Sequence, residues 1–272
     1  MTKKLFSLIA VAALVLGLAS CTDNKEEQTM SITDDVLVTS SQVTTAGKIH
    51  LKMNITNSTI DITMPVQKGG STVDATIKDL KLSFSNTLGY TFSATNADAV
   101  DGSGKSLGVK INSLNGFLQM FNNPEIEQNI AITYNVDGKP TFVTRKKISH
   151  VTSSTVTDFG RGTFECKDAT YIMMLNPEKG TASIEINNIQ FIQQMPTLSE
   201  ITIPGATLES TSTGYRITAD EIVPTSADVP MDNRTITNLD ITVNAGAGTF
   251  SGSFNCMGMS CTVTGSTSLS NE

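Results

Sequence analysis

Ile77-Lys78-Asp79-Leu80, Ile111-Asn112-Ser113-Leu114, Ile186-Asn187-Asn188-Ile189 and Ile236-Thr237-Asn238-Leu239 share one pattern. It reads isoleucine, any residue, a short polar residue, then leucine or isoleucine. Around the first copy, Val73, Ala75 and Ile77 alternate with polar residues, and after a one-residue slip Leu80, Leu82 and Phe84 alternate again. Ala182, Ile184 and Ile186 slip at the same place and continue as Ile189 and Phe191. A period of two marks a half-buried strand. An extra residue turns every later side chain to the other face unless a β-bulge absorbs it. The polar pair therefore predicts a bulge. The first and third copies, sharing the longer context, are expected at equivalent places in two related domains.

Outward from these copies the alternation continues. Ile49, Leu51, Met53 and Ile55 form one expected strand, and Ile60, Ile62 and Met64 another. Asn86 to Gly89, Asp137-Gly138 and Asn176 to Gly180 read as turns between strands. Leu114, Phe117, Leu118 and Phe121 fall at helical spacing, so one short helix is expected there. The class is all-β, with two tandem antiparallel β-barrel or β-sandwich domains. The first is expected over residues 36–152 and the second over 158–270. The boundary is placed in the Ser/Thr-rich stretch Ser149 to Thr157. Arg145-Lys146-Lys147 before it reads as a solvated strand edge or as a contact for an acidic partner.

The N-terminus carries an address. Lys3 and Lys4 precede an apolar run from Leu5 to Leu18, too short for a stable span and laid out as a signal peptide over residues 1–20. Leu18-Ala19-Ser20-Cys21 resembles the lipobox of bacterial lipoproteins. The resemblance implies cleavage before Cys21 and lipidation of that cysteine, palmitate included. Acyl chains contribute about 0.8 kcal/mol per buried CH₂, so several make a firm membrane anchor. Thr22 stands where an aspartate would favour inner-membrane retention, and Lys25-Glu26-Glu27 resembles the surface-export signal of Bacteroidetes lipoproteins. The implied location is the outer membrane, facing the cell exterior. Residues 21–35 read as a flexible tether.

A second resemblance covers residues 160 to 268. Phe191 to Met195-Pro196, Ile203-Pro204-Gly205, Gly214-Tyr215, Pro224 and Phe254-Asn255-Cys256-Met257-Gly258-Met259 look like a β-domain of Bacteroidetes lipoproteins described as calycin-like. That family implies a fold and no catalytic residues. The resemblance reaches the first domain only loosely, since it lacks the Met-Pro and Ile-Pro-Gly elements.

Charge narrows the partners. Without its leader the chain keeps 17 basic and 26 acidic residues, a formal net charge of −9. Nonspecific attraction to nucleic acid or to anionic membrane surfaces is thus disfavoured. With no Trp and four Tyr, the chain is poor in aromatic platforms for sugars. A small apolar ligand and a surface protein complex remain the two expected kinds of partner.

No motif announces catalysis, and the chain is read as a non-enzyme without a cofactor or metal. His50 and His150 are the two histidines, with no metal spacing. Ala97 and Ala99 interrupt the oxygen ligands that Asp98 and Asp101 would need for a calcium loop. Gly246-Ala247-Gly248 lacks the lysine of a phosphate loop. Glu26-Glu27, Asp34-Asp35 and Asp220-Glu221 are adjacent acids read in tether or loop positions, whereas a glycosidase needs two carboxylates flanking a cleft at a set distance. Cys256 and Cys261 share strand parity with core residues. If Met257 to Ser260 form the loop, they oppose each other as a disulfide or as two buried thiols, with Cys166 left over. The competing functional class is a structural or assembly component of a surface complex. An enzyme with an unrecognised site is third.

Overall fold

A computed structural model describes residues 27–41, 43–85, 88–120, 129–232 and 234–267. All regular structure among them is strand. The first eight strands are β1 (Thr29–Ser40), β2 (Val43–Asn54), β3 (Thr59–Lys68), β4 (Ser71–Ser85), β5 (Gly89–Val100), β6 (Ser106–Gln119), β7 (Asn129–Val136) and β8 (Lys139–Arg145). Each pairs antiparallel with the next, and β1 closes on β8 through Val36 to Ser40, making a barrel. An eight-stranded barrel is just wide enough for side chains to fill it. Ile49, Leu51, Met53, Ile62, Met64 and Ile111 do so, each at 0% exposure in one cluster.

The second unit is a curled sheet of ten strands. They are β9 (Lys147–His150), β10 (Thr152–Asp158), β11 (Thr163–Cys166), β12 (Thr170–Asn176), β13 (Thr181–Ile189), β14 (Leu198–Ser210), β15 (Gly214–Ile222), β16 (Ile236–Asn244), β17 (Thr249–Cys256) and β18 (Met259–Ser266). One residue, Val151, separates β9 from β10. Yet β9 pairs β12 while β10 pairs β18, so a single chain segment links the two margins of the sheet. Counting β9 with β10 and β11 with β12 gives eight successive runs, as in the first barrel. The fold is two tandem barrel-like domains.

The structure revises the repeat. All four third positions, Asp79, Ser113, Asn188 and Asn238, have positive φ, between 51° and 59°. Short polar residues tolerate this left-handed conformation better than others. All eight flanking apolar residues are buried, between 0% and 6% exposed. Ladders slip beside three copies: β3 against β4 between Ile60 and Ile62, β6 against β7 between Asn112 and Asn115, and β16 against β17 between Thr237 and Asp240. The bulge at Asp79 is closed by its N–H, which donates to Asp61 Oδ1 at 2.9 Å. The expected equivalence of the first and third copies fails. The first lies on the fourth strand of its barrel and the third on the third run of the other. Asn187 and Ile189 keep an unbroken register against Glu200 and Leu198. It is the second and fourth copies that match, both on the sixth run and both slipping against the seventh.

Four further expectations change. Leu114, Phe117 and Leu118 belong to β6, not to a helix, and Phe121 lies outside the described residues. Beyond the Ser113 bulge Leu118 faces the barrel core while Phe117 faces the second domain, so both sides of the strand are covered. The spacing of a doubly buried strand imitates a helix here. The tether is shorter than residues 21–35, because β1 starts at Thr29, with Met30 and Ile32 packed on the barrel core. The stretch Ser149 to Thr157 is strand rather than linker, and the chain crosses between domains at Lys146 alone. Two of its hydroxyls point inward to partners: Thr155 Oγ1 lies 2.6 Å from the Tyr171 hydroxyl, and Ser153 Oγ donates to the Ala169 carbonyl. Finally, the β17–β18 turn has two residues, Met257 and Gly258, both at positive φ. The shorter turn sets Cys256 opposite Met259 and Cys261 opposite Phe254, and the thiols are free.

Candidate functional site

The domains meet end to wall. One end of the second domain carries the turns 176–181, 210–214 and 244–249, and it sits on the outer face of β6, β7, β8 and β1. The wall explains runs that break alternation. Val36 and Val38 face the first core, while Leu37 between them joins the second. Val143 faces the first core, whereas Phe142 packs edge-on against the Tyr215 ring at 5.6 Å. The buried Tyr215 hydroxyl lies 3.1 Å from Thr144 Oγ1 and 3.4 Å from Thr39 Oγ1, both on the first barrel. Thr44 Oγ1 and Ser210 Oγ are 2.7 Å apart across the same seam.

The Gly246-Ala247-Gly248 turn has a packing role. A β-carbon on Gly246 would come within 2.9 Å of Thr133 Cγ2. One on Gly248, whose φ is +64°, would meet Thr267 Oγ1 at 2.6 Å and Phe117 at 3.1 Å. Glycine alone lets the turn lie flat on the wall. Of the basic cluster, Lys146 serves the same junction, its carbonyl accepting from Leu175 N–H at 2.7 Å, while Arg145 Nε donates to Asp34 Oδ2 at 2.6 Å within the first barrel, largely screened from solvent.

His150 lies at this seam and not on a surface linker. It is fully buried, opposite Tyr171 on β12, with its ring 4.7 Å from that of Phe250. Neither ring nitrogen has a side-chain partner, and the Gly248 backbone is the polar group beside it. Loss of hydration pushes its pKa down to about 4, against a small upward pull from Gly248. The ring is neutral in the folded protein and titrates near 6.5 once unfolded. Folded and unfolded chains then differ in bound protons between those values, with the unfolded chain holding more. Stability should fall as pH drops from about 6.5 to about 4, by up to about 3 kcal/mol. Denaturant midpoints measured across this range check it: the slope should be smaller in a His150→Gln variant, and an equal slope would refute the assignment.

The other predicted residues stay apart. His50 is exposed on β2, with Nδ1 2.7 Å from Thr33 Oγ1. Asp101 Oδ1 accepts from Ser103 Oγ, Ser103 N–H and Lys105 N–H, which hold its carboxyl below the usual range and order the turn. Asp98, Asp220 and Glu221 are exposed strand residues. Asp35 forms an exposed ion pair with Lys48 at 2.9 Å. Burial pushes the Cys256 thiol up to about 12 and the Cys261 thiol up to about 11, so both are protonated and inert near neutrality. Among the described residues no three His, Cys, Asp or Glu side chains cluster as a metal site. Cys21 lies outside the described residues.

A large groove lies at the end of the second domain opposite the seam. It has a volume of about 820 Å³ and is lined by Asp232, Thr235, Thr237, Asn255, Met257 and Ser260 among others. Thr237 and Asn255 are the last regular pair before the Asn238 bulge, so the fourth copy shapes its floor. A smaller cleft of about 350 Å³ opens at one end of the first barrel, among Ser40, Gln67, Gly69, Gly70, Asp137 and Lys139. The groove offers hydroxyls, an amide and a single charge, whereas Val38, Val43 and Val136 also line the cleft. Sequence reading missed the groove, because its lining comes from two separate segments, 232–237 and 255–260, which only the pairing of β16 with β17 brings together.

No protein-family model matches the chain, and no curated protein matches it.

Proposed function

We propose that the chain is a lipid-anchored lipoprotein of the outer membrane, facing the cell exterior, and that it acts as a binding or accessory module. The observation that carries this reading is the open polar groove of about 820 Å³ at the end of the second domain opposite the seam. The first barrel is filled with side chains, so recognition belongs to the outer surface and not to a calyx. Hydroxyls and amides beside single charges suit a hydrogen-bonding partner, such as a polar surface of another protein, better than a small apolar ligand. The anchor is Cys21, on the strength of the Leu-Ala-Ser-Cys resemblance. Cys21→Ala should move the protein from the membrane to the soluble fraction and remove the lipid mass from its N-terminal peptide. Unchanged fractionation and unchanged peptide mass would remove the anchor. Protease shaving of intact cells should cut the chain, and complete protection would overturn surface exposure.

The filled first barrel also favours a second reading, a structural component of a surface complex. Crosslinking on intact cells separates the two. A stoichiometric complex that survives purification supports the assembly component, and a partner lost by substituting Thr237 and Asn255 supports the binding module.

A further inference from the structure

The two ends of the first barrel differ in chemistry. At one end lie the start of β1, the β2–β3 turn, the β4–β5 hairpin and the end of β6. Met30, Ile55, Tyr90 and Met120 stand there, partly exposed, against the barrel core. The end of β4 projects beyond them. The Leu82 N–H still reaches the Ser58 carbonyl, but Ser83 to Ser85 pair with β5 alone. Phe84 follows Leu82 on the inward face yet has passed the top of the core. It is 66% exposed, edge-on to the Tyr90 ring at 5.6 Å. The opposite end is polar. Its turns hold Ser41, Gly69, Gly70, Asp101, Gly102, Ser103, Asp137 and Gly138, with Val43 as the exposed large apolar residue.

The chain enters at the apolar end. The Gln28 N–H donates to Thr56 Oγ1 at 3.0 Å, and the Gln28 carbonyl accepts from Ile55 N–H at 2.8 Å. From Cys21 to Gln28 is a reach of about 25 Å at full extension. A lipid on Cys21 therefore keeps this rim within that distance of the bilayer. Aromatic side chains favour the headgroup zone, where a ring is partly dehydrated. The net charge of −9 makes apolar contact, not charge attraction, the force available.

We propose that this rim is a membrane-contacting face, with Phe84 and Tyr90 seated in the interfacial zone of the bilayer that holds Cys21. The proposal rests on the anchor reading above. With the first barrel held rim-down, the cleft at its other end points away from the lipid.

The chain contains no tryptophan, so one introduced residue is a unique fluorophore. Full-length lipidated Phe84→Trp protein is incorporated into phosphatidylcholine vesicles carrying acyl-chain-brominated lipid. Val43→Trp, at the polar end and 65% exposed, is the control. The Phe84→Trp emission should shift to the blue and be quenched at least twofold, with Val43→Trp unchanged. Equal quenching in both variants overturns the proposal and leaves the anchor standing. A blue-shifted but unquenched Phe84→Trp signal means that protein, not lipid, covers the rim, and also overturns it. Failure of the intact chain to co-float with vesicles overturns the anchor reading and this proposal together. The Phe84 site is exposed enough to accept the larger ring, and a Phe84→Ser variant with weakened protection of the rim from protease on vesicles gives an independent check.

Discussion

Tyr215→Ala is expected to destabilise the protein by about 3–5 kcal/mol, as deletion of a large buried ring does. The ring is 0% exposed and belongs to the second domain, but its edge contact is Phe142 and its hydroxyl neighbours are Thr39 and Thr144, all on the first barrel. The cavity would open in the seam and leave two buried hydroxyls short of a partner. Tyr215→Phe keeps the ring and should cost about 1 kcal/mol. The pattern of the loss is more telling than its size. Hydrogen exchange should rise in Val36 to Ser40 of β1 and in β8 as well as in β15. Loss of protection confined to β15 and its sheet neighbours would mean that the domains are independent and the seam is weak.

The second large effect concerns the matched bulges. Leu114 and Leu239 follow the left-handed residues Ser113 and Asn238 and are 0% and 1% exposed. Truncating either to alanine should cost about 2–5 kcal/mol, as for other buried leucines. The polar residue before each should behave in the opposite way. Asn238 is exposed, so its side chain packs little, and its φ of 52° sets the requirement. Asn238→Gly should be close to neutral, while Asn238→Val should cost about 1–3 kcal/mol because a branched side chain resists positive φ. Urea denaturation of the four variants measures this. A neutral Asn238→Val would show that the bulge relaxes and that the repeat does not depend on backbone conformation.

Much of the architecture was legible because alternation is a direct imprint of strand geometry. Asp137-Gly138 was read as a hairpin turn and has positive φ at both residues. The slip in the Ile-x-polar-Leu pattern pointed to bulges for a sound reason, since an odd spacing between buried residues cannot be met by a regular strand. Choosing which copies correspond went wrong because shared flanking alternation is common to most strands. The slip against the following strand, which does distinguish copies two and four, depends on pairing that one strand's sequence does not contain. The wall was also written in the chain. Val36-Leu37-Val38 and Phe142-Val143 are apolar without alternation, as strands buried on both faces are. Serine and threonine concealed the rest. Ser149 to Thr157 has a linker's composition, and nothing in it announces that Thr155 meets a buried tyrosine hydroxyl. The groove was invisible, because grooves belong to loops brought together by topology.

The order of synthesis gives the wall a history. Synthesis delivers β1 to β8 before any strand of the second domain, so a barrel that closes first does so with Leu37, Phe117, Ala131 and Phe142 uncovered. For that interval the nascent protein displays an apolar stripe which the finished molecule buries, and such surfaces invite association between chains. A polypeptide stopped after Arg145 would keep the stripe permanently. Folding of the second domain thus acts as the quality check on the first, and a truncated product stays marked by its exposed stripe for capture by chaperones and proteases.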